Sequence, residues 1–250
     1  MAGTSVGFVG TVGGIGTTRS VLEIGGLLAS TGASVLVIDL DFAMQGLSRH
    51  VDGTVPVDSA ALLADPEHDL EETIHDVRVD GDGKLGVIPA VSPFVKIAAA
   101  KTETAGARVG DRLEAATERA DWVLLDVPPV VSNQAIGAVT ATDRTIAVIP
   151  PTERGIDALQ RERGRLADVG TAFDDVLAVG AGDVPPDADA HLPVLPDGAP
   201  AHRPATLESG SSFTSAVAQA TEAVLPVTVK APEPEGALDR LENLGDRLRP

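Results

Sequence analysis

The sequence has no cysteine among its 250 residues. Disulfides, thiolate zinc sites, iron–sulfur clusters and cysteine nucleophiles are therefore excluded. The five histidines show no paired spacing of the kind that metal sites use, and no serine lies in a nucleophile-elbow or Ser-x-x-Lys pattern. The sequence thus gives no support to redox, zinc or serine-hydrolase chemistry.

Basic residues are also scarce. Nineteen lysines and arginines stand against 37 acidic residues, which gives a formal net charge of −18, and only four of the basic residues are lysines. The chain has no surplus of positive charge with which to neutralise a nucleic-acid backbone or an anionic lipid surface. We therefore expect no nucleic-acid partner and no membrane binding.

Aromatic residues make up 2% of the chain, and the acidic residues are spread along it instead of forming a tail. One hypothesis is a halophilic protein, because high salt screens charge repulsion over a few ångströms. The alternative is an ordinary acidic protein. The chain also lacks an apolar run of membrane-spanning length and the basic-then-apolar order of a signal peptide, so we expect a cytoplasmic protein.

Short apolar runs alternate with longer segments of helical periodicity. This alternation predicts an α/β fold with a doubly wound, mostly parallel sheet and helices on both faces. The predicted strands cover residues 6–10, 34–40, 84–90, 121–127, 144–150 and 174–180, with a further short strand in "HLPVLP" (191–196). The predicted helices cover residues 17–31, 105–119, 133–140, 153–168 and 211–224.

The composition changes near the C-terminus. We predict one domain over residues 1–228, a Pro/Glu linker over 229–236 and an amphipathic helix over 237–250. Leucines recur three and four residues apart in that helix and form one narrow stripe. The stripe favours contact with a partner or a second copy, or docking onto the parent domain; the balanced charges disfavour a membrane.

A glycine-rich turn, "GTVGGIGTTR" (10–19), leads from the first predicted strand into a helix. Glycines permit positive φ, and the first free N–H groups of a helix point at an anion. We therefore predict phosphate binding by Gly13, Gly14, Ile15, Gly16, Thr17 and Thr18. A turn of this kind can also serve packing alone.

This turn resembles the deviant P-loop of the ParA/MinD family, whose pattern is Lys-Gly-Gly-x-Gly-Lys-Thr-Thr. Further segments are similar to that family in the same order: "SVLVIDLDFAMQGLS" (34–48), most closely its MinD-like members, "SAALLADPEHDLEETIHDV" (59–77), "GVIPAV" (86–91) and "DWVLLDVPPVVSNQAIGAVTATDRTIAVIPPTERGIDAL" (121–159). The resemblance covers roughly residues 4–227. It implies a P-loop NTPase-like fold of the SIMIBI class, with ATP and Mg²⁺ as ligands.

The resemblance also implies roles for four residues. Thr18 matches the hydroxyl that coordinates Mg²⁺, and Asp126 matches the Walker B acid that holds the metal through water. Asp39 is the usual companion acid at the strand end, which adds it to the expected metal site. Asp41 matches the residue that positions the attacking water and is the expected catalytic residue of an active enzyme.

Two lysines of the family pattern are missing. Val12 stands where the signature lysine crosses to a second subunit, and Thr17 stands where the P-loop lysine grips the β- and γ-phosphates. A unit charge pair at about 4 Å is worth roughly 4 kcal/mol at an effective dielectric near 20, so even half of that is about thirtyfold in affinity. Where many relatives place an adenine-reading Asn, this chain has Gly180 and Ala181.

Another cation could replace the lysines. A helical wheel places Arg19 about 200° from Thr17, on the far side of the helix. Arg49, Arg144 and Arg154 are the nearest alternatives by motif position, and K⁺ at high concentration is another.

Three functions remain open. The first is a degenerate ParA/MinD-like protein, deficient in hydrolysis, that acts as a scaffold or regulator in the positioning of division, chromosome or surface machinery. It would bind a protein partner, an active relative or a second copy as a homodimer. The second is an active ATPase with a substitute cation. The third is a sensor of another phosphorylated ligand.

Overall fold

The protein is described by a computed structural model over residues 2–200, 202–208 and 211–229. Its centre is one eight-stranded sheet with the order β3-β4-β2-β5-β1-β6-β7-β8. Every neighbouring pair is parallel except β3 and β4. The strands are β1 (Thr4–Gly10), β2 (Ser34–Asp39), β3 (His75–Val77), β4 (Lys84–Ile88), β5 (Trp122–Val127), β6 (Arg144–Ile149), β7 (Asp175–Val179) and β8 (Ala190–Leu192).

Helices cover both faces of this sheet. They are α1 (Thr17–Ser30), α2 (Ser59–Ala64), α3 (Phe94–Ala100), α4 (Glu103–Thr117), α5 (Asn133–Ala141), α6 (Glu153–Asp168) and α7 (Ser212–Val224). Helices α1 and α7 pack into one core cluster, while α2, α4 and α5 pack into a second cluster on the other face. The structure confirms the predicted doubly wound α/β class.

The two clusters follow from the alternation of side chains along buried strands. In β5, Leu124 joins the cluster beneath α1, whereas Val123 and Leu125 join the opposite cluster. Successive side chains of a strand point to opposite faces, so a strand covered on both sides reads as a continuous apolar run. This explains why the central strands are recognisable in the sequence.

Two elements of the structure, β3 and α3, are not predicted from the sequence. The stretch 59–77, which resembles a helical stretch of the ParA/MinD family, contains a short helix, a 3₁₀ turn over Leu70–Thr73 and the antiparallel edge strand β3. Helix α3 follows Pro93 and was not predicted. The predicted strand in "HLPVLP" is three residues long and begins at Ala190. The predicted C-terminal helix (237–250) lies outside the described residues.

The parallel strands bring their carboxyl ends to one edge of the sheet. Strands β2, β5 and β1 are adjacent there, so the glycine loop after β1 lies beside the acids at the ends of β2 and β5. Ligands of open α/β sheets bind at this edge. Among the described residues, no helix is both long enough and apolar enough to cross a membrane.

Candidate phosphate-loop site

The glycine loop has the backbone geometry that its sequence predicts. Gly14 and Gly16 have φ values of 77° and 92°, in the left-handed region that favours glycine. Gly16 caps α1 without any side-chain hydrogen bond to the first turn. The free N–H groups at the start of α1 are therefore left for an anion or for water.

A cavity of about 420 Å³ opens beside this loop. Its lining includes Val12, Gly13, Gly14, Gly16, Thr17, Thr18, Asp41 and Asp126. Two predicted phosphate or metal residues are not part of it. Ile15 packs against the core cluster beneath α1 and α7, and Asp39 is fully buried and does not line the cavity.

Thr18 and Asp126 meet at the floor of the cavity. The Thr18 hydroxyl donates a hydrogen bond to Asp126 Oδ2, and Asp126 is only 2% exposed. Burial raises the pKa of Asp126 to about 7; the hydrogen bond from Thr18 lowers it, and the nearby charge of Asp41 raises it. An acid in this environment gains from a cation placed next to it.

Asp39 supports the loop after β2 instead of facing the cavity. Its Oδ1 accepts the N–H of Asp41 at 2.9 Å, and its Oδ2 accepts the N–H of Leu47 at 3.1 Å. Burial raises the pKa of Asp39 well above its usual value, and Asp126 raises it further. Asp39 thus holds the backbone that carries Asp41, which does line the cavity. A buried carboxylate with both oxygens used by backbone donors is poorly placed to bind a metal directly.

Basic side chains at the cavity come from α1 and from the loop after β2. Arg19 contributes to the lining, contrary to the helical-wheel argument, because the cavity surrounds the first turn of α1. Its guanidinium is nevertheless occupied: it pairs with Glu23 and donates to the carbonyls of Pro200 and Arg203. None of the described residues that line the cavity is a lysine.

The three substitute cations proposed from motif position differ in placement. Arg49 lines the cavity and is exposed, and no ion pair of the described residues includes it. Arg144 is the first residue of β6, so it lies at the amino ends of the parallel strands, away from the cavity, and it pairs with Asp175. Arg154 lies in the first turn of α6 and does not line the cavity. Arg49 is therefore the only one of the three that the fold brings to the site.

The loop after β5 closes the other side of the cavity with Pro128 and Pro129. The next residue, Val130, donates its N–H to Glu162 Oε2 at 3.0 Å. Glu162 lies on α6, is 2% exposed and pairs through its other oxygen with Arg165. Nothing in the sequence pattern indicated this anchor, which fixes the proline loop to a neighbouring helix.

Comparison with known proteins places this site in a family. A family model described as an AAA domain matches residues 4–173, which is more than half of the chain. The chain belongs to the ParA/MinD family of P-loop ATPases. It is 29% identical over 139 residues to the sporulation initiation inhibitor protein Soj of Bacillus subtilis (54% of this chain, 53% of that protein). It is 32% identical over 158 residues to the chromosome-partitioning ATPase Soj of Thermus thermophilus (62% and 57%). The ParA/MinD chain thus spans little more than half the length of these curated relatives.

Solved MinD structures share the fold at low sequence identity. The cell division ATPase MinD of Pyrococcus furiosus has a TM-score of 0.73 and 20% identity, over 89% of this chain and 98% of that one. MinD of Pyrococcus horikoshii, complexed with Mg-ADP, gives 0.70 and 20% over 86% and 92%. The MinC:MinD complex of Aquifex aeolicus gives 0.69 and 18% over 92% and 99%.

The ParA/MinD ligands fit this site in part. Mg²⁺ prefers hard oxygen ligands and retains several waters, and the Thr18 hydroxyl beside Asp126 is a donor pair of that kind. The glycine loop offers backbone N–H groups to phosphates. Val12 and Thr17 stand where the family pattern has its two lysines, and Arg19 is already paired, so Arg49 is the lining arginine that no ion pair of the described residues includes. The site therefore offers oxygen ligands to magnesium and backbone donors to a phosphate chain, with an arginine in place of the lysines of the family pattern.

We predict that Gly46 is needed for the contact between Thr18 and Asp126. A Cβ atom at Gly46 would lie 2.5 Å from Thr18 Oγ1 and 3.0 Å from Thr18 Cγ2. Gly46→Ala should therefore displace Thr18 and lower the free energy of unfolding by about 1–3 kcal/mol, measured by urea denaturation. Gly13→Ala is the matched control, because a Cβ there meets no atom within 4 Å. Equal effects of the two substitutions would refute the steric explanation.

Proposed function

We propose that this ParA/MinD-like protein does not cycle ATP efficiently and acts as a scaffold or regulator in spatial positioning. The observation that carries the proposal is the replacement of both lysines, by Val12 and Thr17, in a loop that keeps its glycines and lines a cavity. The family relationship supports a positioning or partitioning role, since its relatives include a chromosome-partitioning ATPase and cell division ATPases.

The electrostatics of the site support weak nucleotide binding. Asp41 and Asp126 both line the cavity, and Asp126 is buried. A triphosphate that enters meets these acids without a lysine to offset them, and each missing contact weakens binding by at least about thirtyfold. Hydrolysis suffers more than binding, because phosphoryl transfer depends on positioned positive charge at the γ-phosphate.

The contacts of the loop after β5 support the proposal that this loop does not act as a nucleotide switch. In a nucleotide switch this loop must move when the γ-phosphate arrives or leaves. Here Val130 is held by the buried Glu162, and Asp126 at the start of the loop is held by Thr18. We therefore propose that the loop presents a constant surface to a partner.

Exposed apolar side chains at the same edge supply a surface for protein contacts. Met44 follows β2, Phe94 and Val95 follow β4, and Val131 follows β5; these strands are neighbours in the sheet. We call these four residues the edge patch. Their exposures run from 55% for Met44 to 81% for Phe94. Large exposed apolar groups gathered in one region indicate an interaction site.

We predict that the edge patch mediates self-association. The double variant Phe94→Ser, Val131→Ser should shift the particle mass measured by light scattering from dimer towards monomer, because it removes two exposed apolar contacts. Val194→Ser is the control, since Val194 is 59% exposed but lies outside the patch. A dimer that persists in the double variant but is lost on deletion of residues 232–250 would instead assign the contact to the C-terminal leucines.

An active ATPase with Arg49 in place of a lysine is the second candidate. It is favoured by the exposed position of Arg49 in the cavity lining. Phosphate release in high KCl distinguishes the two functions. The scaffold proposal predicts that the wild-type rate equals that of Asp41→Ala. The enzyme alternative predicts a wild-type rate above that background, with a loss of about tenfold or more in Arg49→Ala.

A further inference from the structure

A second cavity, of about 380 Å³, lies next to the phosphate-loop cavity. It forms where the end of the 3₁₀ turn Gly46–His50, the edge strand β3 and residues 202–203 meet. Three of the five histidines of the chain, His50, His75 and His202, line it. His50 also lines the phosphate-loop cavity, so it forms the wall between the two.

The ring nitrogens in this cavity are available for hydrogen bonds. His50 Nδ1 and His75 Nε2 are buried and have no partner among the described residues. The Nδ1–H of His202 donates to the carbonyl of Arg49 at 3.0 Å, which leaves Nε2 of the neutral ring as an acceptor for the O–H of a protonated phosphate oxygen. Buried polar atoms are almost always paired, so two orphans in one cavity indicate a missing partner.

The charged side chains around the cavity include two arginines that are free to contact an anion. Arg78 and Arg203 line it, both are exposed, and neither belongs to an ion pair of the described residues. Asp52 and Asp76 also line it, so the formal charge of the lining is zero when the histidines are neutral. Binding of an anion therefore depends on direct contact with the two guanidinium groups and not on a net positive charge.

A metal ion is not the ligand that this arrangement fits. Within the described part of the chain, no three histidine or acidic side chains are close enough together to hold one. Burial and the nearby charge of Arg19 lower the pKa of His50 to about 4, so its ring is neutral at pH 7 and offers one N–H donor. Separate N–H donors and guanidinium groups are the usual partners of a phosphate group.

We propose that this histidine-lined cavity binds the phosphate group of a small molecule, held by Arg78, Arg203 and the rings of His50, His75 and His202. The site is distinct from the glycine loop and does not depend on whether ATP binds there. Because His50 borders both cavities, a ligand in the second cavity contacts the wall of the first.

Histidine side-chain NMR tests the proposal on the full-length chain. Titration with inorganic phosphate, and separately with glycerol phosphate as a phosphomonoester, should give saturable shifts of the His75 and His202 ring signals. His68 and His191 lie outside the cavity and serve as internal controls. The tighter of the two probes identifies whether the free ion or an ester is the better ligand.

Two variants separate this site from the glycine loop. Gly13→Asp places a negative charge in that loop at a position where an added Cβ meets no atom within 4 Å, and the His75 and His202 shifts should persist in it. The double variant Arg78→Ala, Arg203→Ala removes exposed side chains and should weaken binding by about tenfold or more. Shifts that match those of His68 and His191, or shifts that disappear in Gly13→Asp, would overturn the proposal.

Discussion

Replacement of Asp126 by asparagine is expected to raise the free energy of unfolding of the nucleotide-free protein by about 2–4 kcal/mol at pH 8. The pKa of Asp126 is about 7 in the folded protein against an ordinary value of 3.8. A group with a raised pKa contributes stability that is complete below pH 3.8 and is lost as the pH rises through 7. Asparagine can still accept the hydrogen bond from Thr18, but it does not ionise, so the variant does not lose this stability as the pH rises.

The pH dependence is the decisive part of this result. The gain from Asp126→Asn should be small at pH 4, grow between pH 4 and 7, and stay constant above that range, as followed by urea denaturation. Asp111→Asn on α4 is the control, because it changes the net charge equally at an exposed position. A gain that is the same at pH 4 and pH 8 would show that packing, and not the buried charge, is responsible.

Glu23→Ala, which removes a buried carboxylate, is expected to lower the free energy of unfolding by about 3 kcal/mol or more. Glu23 lies on α1, is 1% exposed and pairs with Arg19. Its two oxygens also accept the backbone N–H groups of Ala205 and Thr206, each at 2.9 Å. Glu23→Ala leaves these two buried donors unpaired and frees the segment around residue 205 from α1.

A surface ion pair provides the comparison for Glu23. Glu71 pairs with Arg119, but its side chain is 67% exposed. Glu71→Ala should therefore change the free energy of unfolding by less than about 1 kcal/mol. Thermal unfolding of the two variants in the same buffer measures the difference, and similar losses in both would contradict the assigned role of Glu23.

The parts of the fold that sequence predicts are those with strong periodicity. β1, β2, β5 and β6 are apolar on both faces, so each appears as an uninterrupted apolar run bounded by polar or glycine residues. β3 has the sequence "HDV" and is the outermost strand of the sheet, so no run of apolar residues predicts it. The large apolar residues at the start of α3, Phe94 and Val95, are exposed. The helix therefore lacks the regular buried stripe of apolar residues by which a helix is predicted from a sequence.

The residues of the candidate site were also only partly predictable from the sequence. Thr18, Asp41 and Asp126 could be assigned to one site because the resemblance to the ParA/MinD family gives each of them a role there, and all three line the same cavity. The role of Asp39 depends on which backbone N–H groups its oxygens reach, and spacing does not determine that. Arg19 and Glu162 act through contacts with segments far along the chain, at Pro200 and Val130, which only the folded structure brings near.

The central claim is that the loop at residues 10–17 keeps its phosphate-binding shape but has lost the charge needed to hold ATP. Calorimetric titration of the wild type with Mg-ATP in high KCl tests it most directly, with Thr17→Lys as the paired variant. We expect the wild type to show no binding stronger than about millimolar, and the lysine variant to bind at least about thirtyfold more tightly. Micromolar binding by the wild type, at the level of the lysine variant or above it, would contradict the account.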